Sequence, residues 1–143
     1  MPTNKAAEWL LPTAALLAGI LGTDAVWVAI SVASGRPCSW IAPLAALDLV
    51  MLLRLTGARP GRASTIAAVL GTAVAVVLAQ WLIVATQMGI SLGLQPVESA
   101  LRLGAVLAVQ YWRLSLGWAD LAWMLASLPV AAWLASRGRR TPG

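Results

Sequence analysis

The sequence predicts an all-α integral membrane protein, four transmembrane helices in a bundle plus a short amphipathic interfacial helix before the last span. Three observations carry this. The chain is 60% hydrophobic and only 10% charged, whereas a soluble domain keeps about a quarter of its residues charged. The apolar residues lie in long runs instead of alternating with polar ones, as expected of a chain solvated by lipid. The basic residues are placed, not scattered: Arg54, Arg59 and Arg62 follow the second run, and Arg137, Arg139 and Arg140 follow the last. Such clusters beside apolar runs read as cytoplasmic anchors under the positive-inside rule. At 143 residues, one bundle over residues 1–143 is expected.

The first span is expected over 9–33. Pro12 lies in its opening turns, where proline is tolerated. Ala15, Gly19 and Thr23 recur every four residues, a small-residue stripe that lets another helix come close. Lys5 and Val32-Ala33-Ser34 sketch a signal peptide. The run is longer than the roughly 7–15 residues of an ordinary signal core and carries Asp24, so it is expected to stay as a helix. Gly35-Arg36-Pro37 makes a turn into the second span, 40–56, which is short. The loop Gly57–Arg62 follows.

The third span, 64–88, has Ser64 or Thr65 as its expected N-cap. Ala67, Gly71, Ala75 and Ala79 stand at strict four-residue spacing, which predicts a helix-packing face. Gln80 and Gln87, seven apart, share one side. Gly89, Gly93 and Pro96 are expected to break the chain. Residues 97–113 then read as an interfacial helix, with Glu98, Ser99, Arg102, Gln110 and Arg113 within about a third of the helical circle. Glu98 and Arg102 form an i, i+4 pair. Tyr111, Trp112 and Trp118 are anchors of headgroup type. The last span is 118–136, with Asp120 at its entrance and Pro129 expected to kink it.

With four spans, the arginine clusters put both termini and the Arg54–Arg62 loop in the cytoplasm. A fifth span at 97–113 would move Arg137, Arg139 and Arg140 outside, so four spans is the preferred topology. The basic balance, a formal +5, is thus topological, and the expected partners are the lipid bilayer, a second copy or a larger membrane protein, with no nucleic acid. Nine of the ten basic residues are arginine and phenylalanine is absent, a composition read as a GC-rich bacterial source and hence an inner membrane.

The chemistry concentrates in two acids. Asp24 lies near the middle of the first span and Asp48 at the centre of the second. A carboxylate at bilayer depth costs a few kcal/mol or more and marks a functional-site hypothesis. No basic residue lies at the same depth, so two carboxylates in a dry bundle cannot both stay ionised. Asp24, Asp48 and Gln80 are the candidate intramembrane site. They are read as a proton- or cation-binding site, as interhelical glue with Gln80, Thr23 or a backbone carbonyl as partner, or as acids facing a basic residue of another protein. Asp48 is expected to be the deeper and more sensitive of the two.

Catalytic signals are weak. Histidine is absent and Cys38 stands alone, which removes the usual metal ligands and proton shuttle; no metal site and no cofactor is expected. Glu98, Arg102, Tyr111, Arg113 and Asp120 are the only candidate patch for a headgroup-modifying enzyme, and it lacks a convergent base and nucleophile. Trp27, Trp81 and Trp123 lie deep and are read as packing. In size and span count the chain resembles several bacterial four-helix groups: small multidrug exporters, fluoride channels and small flippase-like proteins of polysaccharide glycosylation. The exporters place a glutamate where this chain has Asp24, and the channels depend on phenylalanines that are missing here, so no site residue carries over. The expectation is a small bacterial inner-membrane protein without enzymatic activity, an accessory or assembly subunit of a larger complex, with a proton- or cation-coupled transporter using Asp24 and Asp48 as the alternative.

Overall fold

The computed structural model describes residues 4–36, 38–59, 61–102, 104–115 and 117–137. Among these the chain forms six helices and no strand: α1 (Lys5–Ser34), α2 (Ile41–Leu55), α3 (Arg62–Leu92), α4 (Pro96–Arg102), α5 (Ala105–Ser115) and α6 (Trp118–Ser136). Local chemistry sets the boundaries. α1 starts early because Asn4 Oδ1 accepts the Ala6 amide at 3.3 Å, an N-cap bond that satisfies an orphan donor. α3 begins at Arg62 with Gly61 as its cap. Neither Ser64 nor Thr65 caps it; Thr65 Oγ1 donates instead to the Gly61 carbonyl at 2.9 Å.

Gly89 does not break α3, contrary to expectation. The helix runs to Leu92 and stops at Gly93, which takes φ 69°, a left-handed conformation costly for any other residue. The Leu94 amide then bonds back to the Gly89 carbonyl at 2.8 Å. Gly89 matters for space: a Cβ there would lie 3.1 Å from the Leu94 oxygen and 3.2 Å from Ser99 Cβ. The missing side chain lets the connection fold back on the end of α3. The expected helix over 97–113 is two helices, α4 and α5, parted around Gly104. Both lie against the C-terminal half of α3. Trp81 Nε1 donates to the Ala100 carbonyl at 3.4 Å and the Tyr111 hydroxyl to Gln87 Oε1 at 2.8 Å. The single amphipathic helix expected over 97–113 is therefore two short helices packed on α3.

Helices α1, α2, α3 and α6 form the bundle. α6 packs on α2 and α3 and not on α1, while α2 and α3 touch across the diagonal. Paired residues give the directions. Gly71 faces Leu16, Ala75 packs with Ile20, and Ala79 and Ile83 with Trp27, so α3 rises beside α1. Met124 joins Ile41 and Ala42, whereas Ala131 and Ala135 join Val50 and Leu53, so α6 descends beside α2. The Lys5 end of α1, the Leu55 end of α2, the Arg62 end of α3 and the Ser136 end of α6 therefore lie together.

The interior is built from small side chains. Ala42, Ala45, Ala46, Ala68, Ala75, Ala79 and Ala131 are fully buried, and among the described residues Trp27 is the one large aromatic sealed with them. Large apolar residues such as Leu10, Leu21, Leu44, Leu70 and Val77 point outward. A water-soluble domain does the reverse. Small inside and large outside is the membrane pattern, in which close backbone approach and van der Waals contact hold helices together. Three helices are long and apolar enough to cross a membrane: α1, α3 and α6. α2, with 15 residues, is roughly 22 Å long at 1.5 Å per residue, short of the hydrocarbon thickness of about 30 Å.

Gly71 and Gly22 make contrasting tests. A Cβ on Gly71 would sit 3.1–3.3 Å from the Leu16 side chain, whereas one on Gly22 meets nothing within 4 Å. Gly71→Leu is expected to lower the unfolding temperature in mild detergent by several degrees, in line with an overpacking cost of about 1–3 kcal/mol. Gly22→Leu is expected to leave it level or higher, since glycine is a poor helix former. Equal stability of Gly71→Leu and wild type would remove Gly71 from the packed interface.

Candidate functional site: the intramembrane acids

Most hydroxyls in the helices are satisfied locally. Thr72 Oγ1 donates to the Ala68 carbonyl at 2.8 Å and Thr86 Oγ1 to that of Leu82 at 2.7 Å, the i−4 back-bond that lets Thr sit inside a helix. Asp24 is different. It lies on the inner face of α1, between Ile20 and Trp27, and is 1% exposed. Neither carboxyl oxygen has a hydrogen-bond partner among the described residues. Ile20 belongs to the layer with Leu49 and Ala75, Trp27 to the layer with Ala42, Val76 and Ala79. Asp24 thus sits between two apolar layers.

Gln80 is also buried, and its Nε2 donor is unpartnered. It therefore does not bond Asp24. Of the partners weighed for the acids in the glue reading, Gln80 is not bonded to Asp24. A buried polar group without a partner costs about 1–3 kcal/mol, and an ionised carboxylate costs far more. The chemistry open to Asp24 is that of a neutral acid able to give up or take a proton, or to meet a cation that reaches it.

Asp48 has the opposite surroundings. It is exposed on the outer face of α2, and Thr23 Oγ1 donates to its Oδ2 at 2.9 Å. Asp24 is thus the more enclosed of the two acids within the bundle. Helical phase explains it. α2 buries Ile41, Ala42, Ala45, Ala46, Leu49, Val50 and Leu53. Leu44, Asp48, Met51 and Leu55 follow one another at four, three and four residues and fall on the other side. The two acids do not share a pocket, so Asp24, Asp48 and Gln80 do not converge on one site. Thr23, one member of the small-residue stripe of α1, is the residue that joins Asp48 to α1.

The helix-packing candidates lie inside. Ala75 and Ala79 are fully buried, Gly71 is buried against Leu16, and Ala67 is partly covered beside Val50 and Leu53. Ser127, on α6, and Thr72 are fully buried as well. Neither was singled out from sequence, since a lone hydroxyl in an apolar run gives no periodic signal.

The remaining polar residues have separate structural roles. Glu98 and Arg102 pair at 2.8 Å on α4. Asp120 Oδ2 accepts the Gly117 amide at 3.1 Å and caps α6. Tyr111 is held by Gln87, and Arg113 is exposed. At the other end Arg54 reaches across to donate to the Leu134 carbonyl of α6, a cation on the negative end of a helix. Arg137 stacks over Trp133 with its guanidinium carbon 3.6 Å from the ring centre. Arg59 and Arg62 are exposed; Arg139 and Arg140 lie outside the described residues. Among the described residues no three His, Cys, Asp or Glu side chains gather as metal ligands would.

Asp24→Val removes an unpartnered carboxyl while keeping similar volume. It is expected to stabilise the purified protein by about 1–3 kcal/mol in thermal or denaturant unfolding. Asp48→Val, which strips Thr23 of its acceptor at an exposed position, is expected to change stability by less than about 1 kcal/mol. A destabilised Asp24→Val protein would show that the carboxyl has a partner.

Comparison with known proteins gives no family: no family model matches the chain, and neither a curated protein nor a solved structure does.

Proposed function

We propose that the chain is a non-enzymatic accessory or assembly subunit of a larger complex in a bacterial inner membrane. The observation that carries this reading is Asp48, a carboxyl displayed outward from the middle of a helix among apolar neighbours. Facing lipid, such a group is costly. Facing a partner, it is a contact. The buried alanine faces serve a different purpose, since α1, α2, α3 and α6 use them on one another.

In this reading α2 is the fourth span. Its short length is accommodated by Arg54, which lies in the last turn of the helix and reaches the interface, and by local thinning of the bilayer. The bundle end that carries Arg54, Arg59, Arg62 and Arg137 faces the cytoplasm, with both termini on that side. The partner is another membrane protein or a second copy.

The alternative is a small proton- or cation-coupled transporter. The unpartnered state of Asp24 and of Gln80 Nε2 favours it. One feature favours the accessory reading over it: Asp48 is exposed on the outer face of α2 while Asp24 is buried inside the bundle, so the two acids are not side by side in one enclosed site.

Reporter fusions at Gly143 and near Gly93 are expected to mark opposite sides of the membrane, with Gly143 cytoplasmic; the same side for both would remove the four-span topology. Extraction into polymer-bounded native nanodiscs, followed by mass measurement, is expected to give a particle with a second membrane protein in fixed ratio. A solitary protein that moves protons or cations across vesicles, and loses that flux in Asp24→Asn, would replace the accessory reading with the transport one.

A further inference from the structure

The face that displays Asp48 has a definite make-up. On α2, Leu44, Met51 and Leu55 lie above and below the carboxyl, all more than half exposed. On the α1 side of the same seam stand Thr23, which holds the carboxyl, and Gly22 and Val26, both exposed. Nothing lies within 4 Å of where a Gly22 side chain would begin. The seam is therefore apolar and open, with a low wall on one side that permits close approach of a helix backbone.

The carboxyl is incompletely satisfied. Thr23 is its one hydrogen-bond partner among the described residues, at 2.9 Å. A carboxylate has about four acceptor sites, so one hydroxyl leaves most of that capacity unused. The group also lies level with Thr23, well inside α1, far from either end of the bundle. Water and headgroups do not supply the missing donors there.

Among the described residues, a second copy has no free basic side chain to set at that depth. Its described basic residues lie at or beyond the helix ends or on α4 and α5, apart from Arg54, which is already bonded to the Leu134 carbonyl. A second copy seated on the seam would bring carboxyl to carboxyl. Charge complementarity selects a different occupant.

We infer that the α1–α2 seam receives a transmembrane helix of another protein, one that carries a lysine or arginine at the depth of Asp48. The inference rests on the accessory-subunit reading and names the chemistry of its partner. Thr23 holds the carboxyl at the seam, the partner's cation completes its bonding, and Gly22 sets how near the two backbones come.

The test uses full-length protein in phosphatidylcholine vesicles with designed single-span helices of Leu and Ala, about 20 residues long. One probe has Lys at its centre, a second Leu, a third Glu. Association is read by fluorescence transfer. Position is read by disulfide capture from Met51→Cys at the seam or Val77→Cys on the outer face of α3, both in a Cys38→Ser background. The Lys probe is expected to bind at least about tenfold tighter than the Leu and Glu probes, to be captured at residue 51 and not at 77, and to lose its advantage in Asp48→Asn. That variant keeps an acceptor for Thr23 and is expected to fold.

Equal binding of the three probes would overturn the inference. So would a Lys advantage that survives Asp48→Asn, or capture of seam against seam between two copies with the Lys probe excluded. The native-nanodisc measurement separates this inference from the reading beneath it. If wild type and Asp48→Asn run in the same larger complex while the Lys probe shows no advantage, the countercharge is wrong and the accessory role stands. If wild type runs alone, the accessory role falls, and the inference falls with it.

Discussion

Helices in lipid have little hydrophobic reason to prefer one another, because the acyl chains are as apolar as their side chains. What holds α1, α2, α3 and α6 together is the closeness that alanine and glycine permit. Gly71 admits Leu16, the alanines of α2 and α6 close on one another, and Gly19 lies directly under Leu52. Each close approach multiplies weak dispersion contacts, individually only about 0.1–0.2 kcal/mol. The rest follows from it. With backbones so near, the interior among the described residues encloses one large ring, Trp27, and many of the bulky aliphatic residues are left for the outside.

That constraint also decides the fate of the two acids. The apolar layers on either side of Asp24 offer a carboxyl few donors, so it is enclosed without a hydrogen bond among the described residues. Asp48 was spared this by phase, lying on the side of α2 opposite the buried alanines. There a threonine hydroxyl can reach it. Two similar residues on adjacent helices thus have different surroundings: one is shut in the core without a hydrogen bond among the described residues, the other is exposed and bonded to Thr23.

The helices themselves were legible because long apolar runs and their Gly, Pro and Arg punctuation leave few alternatives; the expected 118–136 span and α6 coincide. The four-residue rhythm of Ala67, Gly71, Ala75 and Ala79 reads directly as a face. Helix phase was harder. In α2 nearly every position is apolar, so hydrophobicity has no periodic contrast, and the side chosen by Asp48 is hidden unless residue size is followed instead of polarity. The split between α4 and α5 was hidden for another reason: Gly104 can stand inside or between helices, and only the packing of both pieces on α3 decides. Likewise Gly89 looks like a breaker in sequence and acts as a gap into which Ser99 and Leu94 settle.

The contact of Arg54 with the last turn of α6 has a bearing on synthesis. α2 is made before α3, yet one of its three neighbours, α6, is made only after the long excursion through α4 and α5. At roughly 5–20 residues per second, α2 waits on the order of seconds with an alanine face bare and its arginine without the Leu134 carbonyl. A chain stopped before α6 would keep that face open indefinitely. The alanine face of α2 therefore closes only when α6 docks, and that docking marks the bundle as assembled.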